Sequence, residues 1–78
     1  MAKKRTRKQS TVNAVIEMDH EYIARVVLLT TPSDRSEFRA IFRDGLIKTE
    51  FTPLVPRTNR WLALSEFKDR MLNYFPSF

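Results

Sequence analysis

Apolar and polar positions alternate from Thr11 to Met18, with Val12, Ala14, Ile16 and Met18 on one side of the pattern and Thr11, Asn13, Val15 and Glu17 on the other. A period of two predicts a β-strand. Met18-Asp19-His20-Glu21 is polar and turn-like. Tyr22 to Thr31 is rich in β-branched and aromatic residues and predicts a second strand, with Ile23, Val27 and Leu29 on one face and Tyr22, Ala24, Val26 and Leu28 on the other. Apolar residues on both faces indicate a central strand or one covered by a partner. Pro32 ends it, and Ser33-Asp34-Arg35-Ser36 is a loop.

The segment from Ser36 to Arg43 fits two patterns. Phe38, Ile41 and Phe42 match helical spacing; Phe38, Ala40 and Phe42 also match a strand, with Arg39 and Arg43 opposite. Asp44-Gly45 favours the strand, because that dipeptide between apolar runs is a strong signal for a two-residue type I′ hairpin turn. Gly45 is the only glycine in the chain. The expected hairpin pairs Ser36–Arg43 with Leu46–Thr52 and puts Ile47, Thr49 and Phe51 on one face, shared with Phe38 and Phe42. Pro53 and Pro56 bracket an irregular connection. Beyond it Leu64, Phe67, Lys68, Met71, Leu72 and Phe75 follow helical spacing, with Glu66, Asp69, Arg70 and Asn73 on the other side. Either Ser65 caps this helix, leaving Trp61-Leu62-Ala63-Leu64 as a short last strand, or Asn59 caps a longer one. The fold expected is α+β: an antiparallel sheet of three to five strands packed on one C-terminal helix.

Charge adds a second division. Lys3, Lys4, Arg5, Arg7 and Lys8 put five positive and no negative charges into the first ten residues, while the other 68 carry nine Lys and Arg against nine Asp and Glu. The chain reads as a basic arm, residues 1–10, on a neutral α+β domain, residues 11–78. Such an arm has nothing apolar to bury and is expected to be disordered when free. Its chemistry suits phosphates, whose neutralisation releases counterions and gives sequence-independent, salt-sensitive affinity. A solubilising tail is the plainer reading. The arm has no interleaved Trp, Phe or Leu, as membrane insertion requires, and no membrane partner is expected.

At 78 residues the core is small, and a core of that size supplies about 3–5 kcal/mol. The chain has no cysteine and one histidine, so disulfides, thiolate metal sites and zinc sites are not expected. Association remains as the stabiliser, and a homodimer is expected. No apolar run approaches the ~20 residues of a membrane span, and no apolar segment follows the basic start as in a secretory signal. These point to the cytoplasm, or to a nucleus if Lys3–Lys8 serves as an address.

Catalysis is not expected. A nucleophile–base pair would need His20, which sits in a turn between two acids, and one glycine cannot build a phosphate-cradling loop. No cofactor is expected. Binding is better equipped. Arg25, Arg39 and Arg43, with Lys48, are expected on the sheet face opposite Phe38, Phe42 and Phe51, a platform for a sugar–phosphate backbone; Glu17 and Glu50 balance them if the face is merely solvated. Val15, Ile23, Val27, Leu29 and Ile41 would share that face, which is more apolar surface than a monomer leaves in water. Arg57, Arg60 and Trp61 form a second cluster able to stack a base, although a lone Trp opening an apolar run is more often core.

The order of strands, the strand–turn–strand at 36–52, the short Trp61-Leu62-Ala63-Leu64 strand and Ser65-Glu66-Phe67-Lys68 opening a C-terminal helix resemble the whirly-type transcriptional coactivator family over roughly residues 36–75. That resemblance implies a dimer of curved antiparallel sheets that binds single-stranded nucleic acid. The Lys-Gly pair that precedes the last strand in that family is replaced by Asn59-Arg60, and no binding residue is carried over. The size, the basic arm and the lack of cysteine also resemble small phage or plasmid accessory proteins. The expected function is sequence-nonspecific binding of RNA or single-stranded DNA. The alternative is an inhibitor or adaptor that blocks a host or toxin protein.

Overall fold

A computed structural model describes residues 9–75. Four strands, β1 (Thr11–Glu17), β2 (Ile23–Thr30), β3 (Arg35–Phe42) and β4 (Ile47–Pro53), precede a single 3₁₀ turn (Arg57–Asn59) and helix α1 (Arg60–Leu72). The strands form one antiparallel sheet in the order β1-β2-β3-β4, and α1 lies across one face. The α+β expectation therefore holds with four strands. The strand reading of residues 36–43 holds as well.

The core lies between α1 and the sheet. Ala14, Val26, Leu28, Phe38 and Ala40 from the strands meet Leu64, Phe67 and Met71 of the helix. Phe67 is fully buried and stacks on Phe38 with centroids 4.9 Å apart and planes 17° from parallel. Their spacing at i, i+3 and i+7 is the apolar stripe that decides how α1 docks. The helix starts at Arg60, with Asn59 in the capping position, so Trp61–Leu64 is helical and not a last strand. Part of the family resemblance rested on that strand.

Two register irregularities change which residues face the core. One falls between Ile23 and Arg25 and moves Ile23 from the predicted Val27–Leu29 face into the core, where it is fully buried opposite Phe42. The other falls between Val12 and Ala14 and leaves Val12 opposite Leu29 on the far face. Bulged strands acquire one extra residue and so change face. Asn13, at the irregularity, accepts a 2.6 Å hydrogen bond at Oδ1 from the Thr30 hydroxyl.

The β3–β4 turn corrects a third expectation. Ile41 opposes Ile47, so the loop holds three residues, Arg43, Asp44 and Gly45, closed by Phe42 N–H to Leu46 O at 2.8 Å and Gly45 N–H to Phe42 O at 3.0 Å. Gly45 has φ +97° while Asp44 does not enter positive φ, which is a type I turn with a glycine bulge and not type I′. Asp44 Oδ1 accepts from Leu46 N–H at 3.0 Å and holds the turn. One extra loop residue flips every side chain of β4. Phe51 therefore opposes Glu37 on the face away from the helix, and Lys48 and Glu50 turn toward α1. Glu50 there pairs with Arg70, and Lys48 Nζ lies 4.3 Å from the Tyr74 ring centroid.

Candidate nucleic-acid interface

The antiparallel order puts the start of β1, the end of β2, the start of β3 and the end of β4 at one end of the sheet, here called proximal. The N-terminus of α1 lies there too. Val55, in the connection leading to it, donates its N–H to Ser36 Oγ at 2.8 Å, while at the far, distal end Phe75 stacks on Tyr22 at 5.3 Å and meets Phe42 at 6.0 Å. The chain thus enters the sheet, just after the basic segment, at the end where α1 begins.

Charge is sorted along this axis. Arg35, Arg57 and Arg60 lie at the proximal end with two acids, Asp34 and Glu66, the latter beside Pro53, Pro56 and Asn59; Asp19, Glu21 and Asp44 lie at the distal end with two bases, Arg43 and Lys48. Between them acids and bases balance. Arg25 Nε meets Glu17 at 3.1 Å, Arg39 Nε meets Glu37 at 2.7 Å, and Arg70 meets Glu50. Lys68 Nζ lies 3.8 Å from Asp69. The described chain is neutral overall, with one base in excess at the proximal end and one acid in excess at the distal end, which a sequence count cannot reveal.

The predicted binding residues separate accordingly. Lys3, Lys4, Arg5, Arg7 and Lys8 lie outside the described residues. Arg25 and Arg39 do project from the face opposite Phe38 and Phe42, but each is held by a carboxylate. The hydrogen bonds that Arg39 donates to Glu37 raise its pKa above the ordinary value despite some opposing desolvation. Arg43 does not share that face. It stands beyond β3, where Nε donates to His20 O at 2.7 Å and Nη2 to Met18 O at 2.9 Å, fastening the β1–β2 turn. His20 is part of the same assembly: its Nδ1 accepts from Tyr22 and Ile23 N–H at 3.0 and 3.2 Å, and its ring lies 5.1 Å from Phe75. A turn stabiliser is what its position supports.

Arg57 and Arg60 remain. Neither forms an ion pair among the described residues, and Arg60 Nε is buried with no hydrogen-bond partner. Trp61 follows directly and is 61% exposed, not core. At ~100° per residue it stands on the flank of α1 away from Ala63, Glu66 and Arg70, the side chains that approach β4. That flank is turned toward β1, the strand that carries the basic segment. Arg35 joins the proximal group and was missed by sequence reasoning, since its loop-like context gives no signal until the strand ends are located.

Comparison of the chain with protein-family models, with curated proteins and with solved structures gives no match. Among the described residues no helix is long and apolar enough to cross a membrane.

Proposed function

We propose that the protein binds single-stranded nucleic acid, RNA or DNA, without sequence preference, through the basic segment and the proximal end of the domain. The observation that carries this reading is the sorting of charge, with a lone exposed tryptophan at the positive end. Lys3, Lys4, Arg5, Arg7 and Lys8 capture the backbone electrostatically. Arg35, Arg57 and Arg60 add phosphate contacts from a folded surface, and Trp61 offers a ring on which a base stacks, worth about 1–3 kcal/mol. The one-charge excess of acid at the distal end makes that end the less favourable one for the same polyanion. Arg25, Arg39 and Arg43 make little contribution on this reading, because a phosphate would have to displace a carboxylate or a carbonyl already bonded to each.

The test is a salt titration of binding to a labelled, unstructured oligonucleotide. Eight engaged cations at ~0.7 each give a slope of log K against log salt of about −5.6. Arms engage incompletely, so replacing the five basic residues of the arm by Gln should flatten the slope by roughly 2 to 3 and weaken all sequences alike. Arg57→Gln with Arg60→Gln should flatten it by about 1 more, and Lys48→Gln, at the opposite end, should leave it unchanged. An arm variant with the wild-type slope and affinity would overturn the proposal.

A further inference from the structure

The sheet has a second face, and no described element covers it. Reading across the four strands, it presents Glu17, Arg25, Ile41 and Ile47 in one row, Val15, Val27, Arg39 and Thr49 in the next, and Val12, Leu29, Glu37 and Phe51 in a third. Seven of these twelve positions are apolar, and although Val27 and Leu29 are already buried by their neighbours, Val12, Val15, Ile47 and Phe51 are exposed. Val12, Ile47 and Phe51 are half or more exposed, at 56%, 50% and 59%. A solvated sheet face normally alternates to polar residues, and this one does not.

The charges on that face show what would cover it. There are two bases and two acids, matched in contact: Arg25 with Glu17, and Arg39 with Glu37 through two bonds of 2.7 and 3.3 Å. The face is therefore neutral, and a polyanion gains nothing by approaching it. Glu37 is already 6% exposed beneath Arg39, so most of its desolvation has occurred within one chain. Burying a matched pair costs less than burying a lone charge, though the more exposed Arg25–Glu17 pair still loses solvation. A surface that is apolar, neutral and carries equal, alternating charges of both signs is complementary to itself, and a two-fold axis brings one patch onto its own copy. Four strands at ~4.8 Å spacing and seven residues at ~3.3 Å give a face of about 440 Å² in projection. That is about half the ~800 Å² per partner of a standard interface and fits a weak, reversible association.

We infer that this face is the interface of a homodimer in which two sheets pack against each other, leaving both proximal ends free. The inference is independent of nucleic-acid binding. It is tested by sedimentation equilibrium of the full chain, freed of nucleic acid, from about 1 to 100 μM, a range that brackets micromolar association. Dimer is expected in that range. Ile47→Lys with Phe51→Lys should raise the dissociation constant at least about 30-fold, the effect of losing a ~2 kcal/mol anchor. Circular dichroism checks that the variant folds, and Val12→Lys gives the same test from the opposite edge should it not. Trp61→Ser, off this face, should leave the dimer intact. A wild-type monomer throughout the range overturns the inference, and so does a dimer that both lysine variants leave unchanged.

Discussion

Gly45 is where one residue decides the face of a whole strand, and replacing it isolates that effect. Its φ of +97° belongs to glycine, and a Cβ built there meets no atom within 4 Å. A substitution is therefore penalised by the backbone alone, with no clash to confuse the reading. An L-residue in left-handed conformation costs about 1–2 kcal/mol. Loss of glycine's freedom in the unfolded chain returns about 0.4–1 kcal/mol. Gly45→Ala should then destabilise by roughly 1 kcal/mol, and Gly45→Val by roughly 2, since branching at Cβ sharpens the conflict. Asn tolerates this region best, and Gly45→Asn should lie closest to wild type. For a domain of this size each kcal/mol lowers Tm by about 4–8 °C, so the valine variant should melt roughly 8–16 °C below the wild type. Thermal denaturation followed by circular dichroism, with urea titration as a check, measures the series. Valine no worse than asparagine would refute the three-residue turn. A two-residue type I′ turn would fall with it, since that turn also requires positive φ at Gly45; the placement of Ile47 and Phe51 on the open face is tested by their lysine variants.

Phe67→Ala removes the fully buried ring that stacks on Phe38 and should cost about 3–5 kcal/mol. That is as much as such a core supplies, so the variant should be largely unfolded at 25 °C by circular dichroism, while Phe67→Leu should stay folded. Ser36→Ala takes the acceptor from Val55 N–H at a buried site and should lower the urea-derived stability by about 1–2 kcal/mol; no change would mean that the connection before α1 is held some other way.

The coarse fold was legible because its signals are local. Alternation marked β1 and β2, Asp44-Gly45 marked the β3–β4 turn, and the spacing of Leu64, Phe67 and Met71 marked α1. Facing was harder, since a single extra residue reverses it. The irregularities near Asn13 and Ala24 and the third loop residue at the hairpin leave no trace in hydropathy, and they moved Ile23, Val12, Phe51 and Lys48 to faces opposite those expected. Trp61 was misjudged because its four-residue apolar run fits a strand as well as a helix. Only within the helix does it fall on the flank. The binding residues were legible as a set of cations and not as a site. Which arginines meet carboxylates depends on cross-strand register, as for Arg25 with Glu17, and which lie together depends on the sheet's two ends, as for Arg35 with Arg57.

Trp61 is the only tryptophan in the chain and so reports on the proximal end without any label. Titrating the intact protein with an unstructured oligonucleotide, while its emission and the anisotropy of a labelled strand are followed together, tests whether the proximal end engages a nucleic-acid strand. Stacking on a base should quench the emission along the same isotherm as the anisotropy rise, and both signals should weaken together as salt is raised. Binding that leaves Trp61 emission unchanged, or an absence of binding at low salt, would contradict nucleic-acid binding at the proximal end.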